Sequence, residues 1–456
     1  MPRAPRVAVL RPLRGLLWMV LAACGARSPE RPEAFRYHVT VRSAHAIAVD
    51  AVFPRALGDR LTIPMADAVS GVEVHSRAGV RRIASLPADA PECREGCRVR
   101  YQVDFDRKRH APLVFLGADA TLTDSGGWLL RAPVPRGQPF EVSFEGQADS
   151  GLRRQGQSYG FDLEDLAEAG FTAFGRTAQA TVPFEGGAVQ VVELSRDAVR
   201  PEVKAYLAGA LGAVAPLWGK RLPSAALRVY IAPVPDQDEV VFGEVRALTG
   251  ASLVVFMGDG FRAGEAEAAH RDWVLVHELV HIGFPTFQNE GRWLSEGLAT
   301  YYEPLLRTRA GWRSAEALWG EWRRELERGS GVQLERSGGI DAVYWGGALF
   351  LLHADVAIRK ATGNGKSLDD VVQGIIRAGG STEHVWTVRD TIARADAISG
   401  THVLSDLYER CVVRGEALLA APLLRDLGVG ERDGRLDLRD DAPLAEIRKR
   451  LTAGAR

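Results

Sequence analysis

The chain has 456 residues, 46% of them hydrophobic and 25% charged. That length predicts roughly two to four domains of 100–200 residues each, and the composition is that of a globular chain, not a disordered one. The formal net charge is −1, with 57 basic residues scattered among 58 acidic ones, so no global field recruits nucleic acid and none is expected as a partner.

The N-terminus differs from the rest. Arg3, Arg6, Arg11 and Arg14 form a basic segment, followed by an apolar run over residues 16–23. The run is too short to span a bilayer as a stable helix and suits an export signal. It closes in Leu-Ala-Ala-Cys at 21–24, which resembles the lipobox of bacterial lipoproteins. That resemblance makes residues 1–24 the signal peptide and Cys24 the lipid anchor to the membrane. A plain signal peptide with a chance cysteine is the alternative. Residues 25–34 read as a polar tether, and Gly25 after the cysteine resembles the pattern that favours the outer over the inner membrane. The expected location is the bacterial cell envelope, lipid-anchored and facing the periplasm. In that oxidising compartment Cys93 and Cys97 are expected to form a local disulfide, and Cys411 reads as a lone buried thiol.

Residues 35–150 alternate apolar and polar positions between Gly and Pro punctuation, as in "FRYHVTVRSAHAIAVDAVF" and "FEVSFEG". This predicts a β-sandwich-like N-terminal domain. Residues 151–185 read as a linker. The pattern then changes over 186–310. "AVQVVEL", "ALRVYIAP" and "ASLVVFMG" read as strands, and "RPEVKAYLAGALGAVAPLWG" as a helix with Pro201 in its first turn. A helix follows from an acidic start near residue 264, and another from near Trp293. The predicted class is α+β, with a catalytic α+β domain over 186–310 and a helical domain over 311–456.

His277, Glu278 and His281 form H-E-x-x-H in "WVLVHELVHIGF". On a helix, positions i and i+4 share a face, so both imidazoles can reach one metal. Glu278 is rotated about 100° from His277. There it can take a proton from a water on the metal instead of ligating it. Two histidines and a glutamate in so apolar a run would be costly to bury without partners, although a chance motif on a buried helix is the bland reading. Downstream, "WLSEGLATYYE" offers Glu296 as a third ligand, completing a His, His, Glu set for one catalytic zinc. Glu303, one heptad beyond Glu296, can accept a hydrogen bond from a ligating imidazole or stand as a solvated surface carboxylate.

H-E-x-x-H followed by W-L-x-E-G-x-A-x-Y resembles the gluzincin metallopeptidases, in particular the aminopeptidase N and glycyl aminopeptidase groups. The resemblance covers about residues 190–380 and implies a thermolysin-like catalytic domain, Zn²⁺ as cofactor, Glu296 as third ligand, and a peptide or protein substrate. "AVYWGGALFLLHADVAIRKATG" is similar to the region in which those enzymes place an oxyanion-binding tyrosine, and Tyr344 matches it. Two departures stand out. The connection from His281 to Glu296 is shorter than in the aminopeptidase N group. Those aminopeptidases also grip the substrate amine with the Glu of a Gly-x-Met-Glu-Asn-like strand. The strand expected to correspond here, around residues 252–257, has Ser252 and Leu253 and no acid. Glu244 lies earlier than that spacing. Residues 253–257 are expected to be the edge that pairs with an extended substrate. Exo- and endopeptidase action both remain open, as does a non-catalytic envelope lipoprotein with a structural or vestigial zinc site.

Overall fold

A computed structural model describes residues 33–453, except 55–57, 108–112, 134–137, 156–157, 163–168, 186, 264–272, 288–289 and 336–338. The expected signal peptide, Cys24 and the expected acidic helix start near 264 therefore lie outside the described residues. Among the described residues no helix is long and apolar enough to cross a membrane.

The fold is mixed α+β. The N-terminal part builds an eight-stranded sheet with Phe35–Ser43, Ala46–Phe53 and Cys97–Asp104 at its centre. Alternate residues Phe35, Tyr37, Val39, Val49, Ala51 and Phe53 face one core, the period of two that the sequence displays. Cys93 and Cys97 are disulfide-bonded at the start of the third of these strands, and Cys411 is buried.

Residues 151–185 are not the linker expected. Ser158–Asp162 joins the eight-stranded sheet, Phe171–Gly175 a four-stranded sheet, and Thr177–Phe184 opens a five-stranded sheet. The strands are short and Gly-punctuated, so their periodicity is faint. The four-stranded sheet sits between its neighbours. Phe174 packs on Trp128 and Phe105 of the eight-stranded side, while Phe171 and Ala173 pack on Tyr230, Ala232 and Val254 of the five-stranded sheet. Asp149 ties these layers by accepting from Arg228 Nη1 and Tyr230 Oη, both at 2.9 Å.

The five-stranded sheet runs in the order Thr177–Phe184, Gly187–Leu194, Leu227–Val234, Ala251–Gly258, Val240–Arg246. Its other face carries Val191, Val229, Ile231, Leu253 and Val255 and is covered by helices Pro201–Val214 and Trp273–Ile282. With both faces buried, the central strands are near-continuous apolar runs. This order corrects the expected edge. Residues 253–257 pair on both sides, with Leu227–Val234 and with Val240–Arg246, so the free edge belongs to Val240–Arg246.

Beyond residue 311 the chain is largely helical, as expected, but ends with a hairpin, Val429–Arg432 against Arg435–Leu438, before helix Ala445–Ala453. Helix Arg292–Arg309 crosses helix Gly347–Ala361 at a glycine pair. A Cβ on Gly347 would stand 2.8 Å from Gly297 Cα, and one on Gly297 2.5 Å from Gly347 Cα. That near-contact of backbones fixes the helix bearing Glu296 against the segment bearing Tyr344.

Candidate active site

In helix Trp273–Ile282 every residue except Trp273, Glu278 and His281 is buried. The helix stops where Gly283 and Phe284 turn back to Val280 and His281. A side chain at Gly283 would strike Trp218 Nε1 at 2.7 Å, so only glycine lets the turn pass that ring. The chain re-enters a helix at Arg292 through Gly291, whose φ of 78° is left-handed. This short return places Glu296 against the two histidines.

His277 Nε2 lies 3.4 Å and His281 Nε2 3.5 Å from the same oxygen, Glu296 Oε2. Bonds of 2.0–2.1 Å to a tetrahedral zinc put neighbouring ligand atoms about 3.3 Å apart, so these side chains fit that ion as they stand. Among the described residues His277, His281 and Glu296 form a cluster able to hold a metal. Ser295 Oγ is 3.1 Å from His281 Nδ1, which holds that ring with Nε2 turned to the cluster. Burial alone would raise the Glu296 pKa, but its bonds to the two imidazoles outweigh this and hold it well below the usual range.

Glu278 sits beside the cluster, and burial, with the nearby Glu296 and Glu244 carboxylates, pushes its pKa up against the pull of the histidines. A carboxylate in that state holds a proton more readily than a free one. The edge strand reaches it closely because residue 243 is glycine. A Cβ there would lie 2.6 Å from Glu278 Cγ and 2.9 Å from Val274 Cγ1.

Tyr344 belongs to a wide π-type turn, Asp341–Gly346, leading into helix Gly347–Ala361. Its ring stacks on His277 with centroids 6.2 Å apart. Burial and the Glu296 charge raise its pKa while a hydrogen bond with Arg292 opposes them, so the phenol keeps its proton. Arg292 Nε is also 4.0 Å from Glu296 Oε1. These groups line one cleft of about 920 Å³, walled by residues 241–246 of the edge strand. Glu244, two residues before the strand's end, faces this cleft, whereas Ser252 and Leu253 are buried inside the sheet. The acid that lines the cleft therefore lies on the other strand. The sequence signal was the half-polar run Val240–Arg246, which suits an edge better than the apolar 251–258.

Glu303 has neither expected role. It is 7% exposed, and its carboxylate accepts from Arg307 one turn on, not from an imidazole. Burial pushes its pKa up to about 7 against the pull of Arg307. It lies in a second chamber of about 690 Å³ that shares Trp273, His277 and Tyr344 with the cleft. Helix Ala315–Glu325 supplies much of that chamber's wall, and its packing cannot be read from the spacing of Glu296 and Glu303.

No protein-family profile and no curated protein sequence matches the chain. Solved structures do. An aminopeptidase N family protein from Idiomarina loihiensis is similar over 87% of this chain and 78% of its own, with a TM-score of 0.63 at 16% identity. A two-domain M1 zinc metallopeptidase variant bound to L-arginine matches over 85% of this chain and 95% of its own, with a TM-score of 0.51 at 16% identity. A variant of the M1 zinc metallopeptidase from Deinococcus radiodurans, bound to a Tyr-Ser-Ala substrate, matches over 86% of this chain and 95% of its own, with a TM-score of 0.50 at 16% identity. The fold is that of the aminopeptidase N family protein and the M1 zinc metallopeptidases.

Proposed function

We propose that the protein is a zinc-dependent peptidase, and that it acts on substrates with a free amino terminus. The observation that carries the reading is the convergence of His277 Nε2, His281 Nε2 and Glu296 Oε2 beside Glu278 and Tyr344 in one cleft. His277, His281 and Glu296 would hold one Zn²⁺ per chain. When bound, zinc supplies Lewis-acid polarisation of the scissile carbonyl and acidifies a water. Glu278 takes the proton of the attacking water and hands it to the leaving amine. Tyr344 donates its O–H to the oxygen on which charge develops, and Arg292 steadies the phenol. The edge strand Val240–Arg246 offers backbone groups to an extended peptide, with Glu244 placed to take the terminal ammonium.

The competing reading, a non-catalytic lipoprotein with a structural site, leaves Glu278 without a task. A structural zinc is normally closed by a fourth protein ligand, whereas the described cluster offers three. Export and anchoring through Cys24, facing the periplasm at the outer membrane, remain part of the proposal on the strength of Leu-Ala-Ala-Cys at 21–24. The test is hydrolysis of a peptide library by the zinc-loaded protein beside Glu278→Gln, with each peptide also supplied N-acetylated. Cleavage lost in the variant and weakened by acetylation supports the reading. Equal cleavage of blocked and free peptides would remove Glu244 from its role, and no cleavage of either would remove the peptidase assignment.

A further inference from the structure

The second chamber, of about 690 Å³, adjoins the cleft along a frame of three rings. Trp273 stands one turn before His277 on the same helix, so the two share a face. The indole meets that imidazole edge to face, with centroids 5.8 Å apart. Tyr344 completes the frame, and all three rings line both spaces. Among the described residues none of the edge strand lines the chamber, whereas residues 241–246 line the cleft. A substrate held by its ammonium at Glu244 therefore keeps its first residue on the cleft side of the frame. The chain beyond the scissile carbonyl runs past Tyr344 and His277 toward the chamber.

The far wall is helix Ala315–Glu325. Glu316, Ala317, Gly320 and Arg324 recur at every third or fourth position and line the chamber, so one face of the helix looks in. The two small residues on that face give the chamber its depth. A Cβ on Gly320 would meet nothing nearer than Arg324 Nη1 at 3.8 Å. The charged heads around the space are joined to one another. Glu303 accepts from Arg307, Arg313 Nη1 is 2.7 Å from Glu321 Oε2, and Arg328 reaches Glu325 at 2.8 Å and Asp341 at 2.6 Å. At the rim Glu316 and Arg324 are exposed and of opposite sign, and Arg324 Nη1 donates to Gly320 O at 2.9 Å. A charged ligand would have to break such pairs, so the chamber offers chiefly rings and aliphatic stems. Indole and guanidinium faces suit an aromatic ring above other side chains. Trp273 and Ile340, 45% and 71% exposed, are apolar surface that such a ring would cover.

We infer that this chamber is the subsite for the side chain that follows the scissile bond, and that Ala317 and Gly320 set its preference for a large aromatic residue there. The inference rests on the peptidase reading above and on Glu244 as the amine site. The experiment follows release of the first residue from Leu-X-Ala-Ala peptides, with X as Phe, Gly or Asp, by the zinc-loaded full chain in wild type, Gly320→Leu and Gly320→Ala. The first residue is constant, so only the occupant of the chamber varies. The wild type is expected to favour Phe over Gly at X in kcat/KM by about 10- to 100-fold, the usual worth of burying such a side chain. Gly320→Leu should fill the chamber and bring the two peptides to parity while sparing the Gly peptide. Gly320→Ala adds only a methyl in open space and should keep the preference. Both variants exchange a helical glycine for a better helix former, so neither disfavours the helix. Equal rates on Phe and Gly in the wild type, a Phe preference that survives Gly320→Leu, or Asp preferred to Phe would overturn the inference and leave the peptidase reading intact. Phe-Gly-Ala-Ala beside Ala-Gly-Ala-Ala reads the opposite assignment. If Gly320→Leu slows the first of these and spares the second, the chamber holds the first residue and the inference falls. No release from any peptide would overturn both readings.

Discussion

Gly243→Ala is the sharpest single test of how the edge strand meets Glu278, the proposed base. The backbone there does not need glycine's special conformations, since residue 243 is absent from the left-handed positions. The methyl would nevertheless sit 2.6 Å from Glu278 Cγ, 2.9 Å from Val274 Cγ1 and 3.3 Å from Glu278 Cδ. Ordinary contact needs 3.4 Å or more, so strand and helix must part by about 1 Å or Glu278 must swing away. The clashing atoms on Glu278 are Cγ and the carboxyl carbon Cδ, neither of which moves when the carboxylate turns about the Cγ–Cδ bond, so that rotation alone does not relieve them. A misplacement of about 1 Å at a reacting group costs on the order of 100-fold in rate. None of the proposed metal ligands is among the three atoms nearest to the methyl. Steady-state hydrolysis should therefore show kcat lowered about 100-fold with KM changed far less, and elemental analysis should show zinc retained. An alanine variant with wild-type kcat would refute the close approach of the strand to Glu278, and with it the account of why residue 243 is glycine.

Ser295→Ala removes the partner of His281 Nδ1 and should weaken zinc binding by about 10- to 100-fold, read by competition with a chelator, while leaving the fold intact by circular dichroism. Gly347→Ala drives a methyl to 2.0 Å from Trp293 O and 2.8 Å from Gly297 Cα. It should destabilise the chain by about 1–3 kcal/mol or more, read from the denaturant midpoint, and separate the helix of Glu296 from the turn of Tyr344. Glu303 titrates near 7 in the fold because it is buried, against 4.5 for the free group. Between these values the folded chain holds a proton that the unfolded chain has lost, so its contribution to stability falls as pH rises from about 4.5 to about 7. Glu303→Gln should flatten that slope by up to about 3 kcal/mol across the window. Parallel stability curves for variant and wild type would show that Arg307 keeps Glu303 ionised throughout.

Much of the site is legible in the residues themselves. His277, Glu278 and His281 share a helix, so their geometry follows from spacing, and the buried apolar flanks give the motif its weight. Glu296 and Tyr344 come from separate elements: Glu296 was suggested by the ligand set that a zinc site calls for, Tyr344 only by resemblance to a known pattern. The strand order was beyond local reading. Val240–Arg246 precedes Ala251–Gly258 in the chain but is added outside it in the sheet, so proximity in sequence pointed to the wrong edge. The contrast was visible nonetheless. "ASLVVFMG" has no charge and is buried on both faces, whereas "VVFGEVR" carries Glu244 and Arg246 and leaves Val241 and Phe242 exposed. Glu303 failed for a different reason. Its environment is set by Arg307 on its own helix and by the chamber formed with helix Ala315–Glu325, and helical spacing fixes only the direction in which a side chain leaves.

The measurement that bears most directly on the central claim is metal content by elemental analysis of the protein lacking residues 1–24, beside Glu296→Ala. The account predicts about one zinc per chain, lost or sharply weakened in the variant. Protein that holds no zinc and takes up none on addition, or a variant that binds it as well as wild type, would contradict the three-ligand site on which the peptidase reading stands.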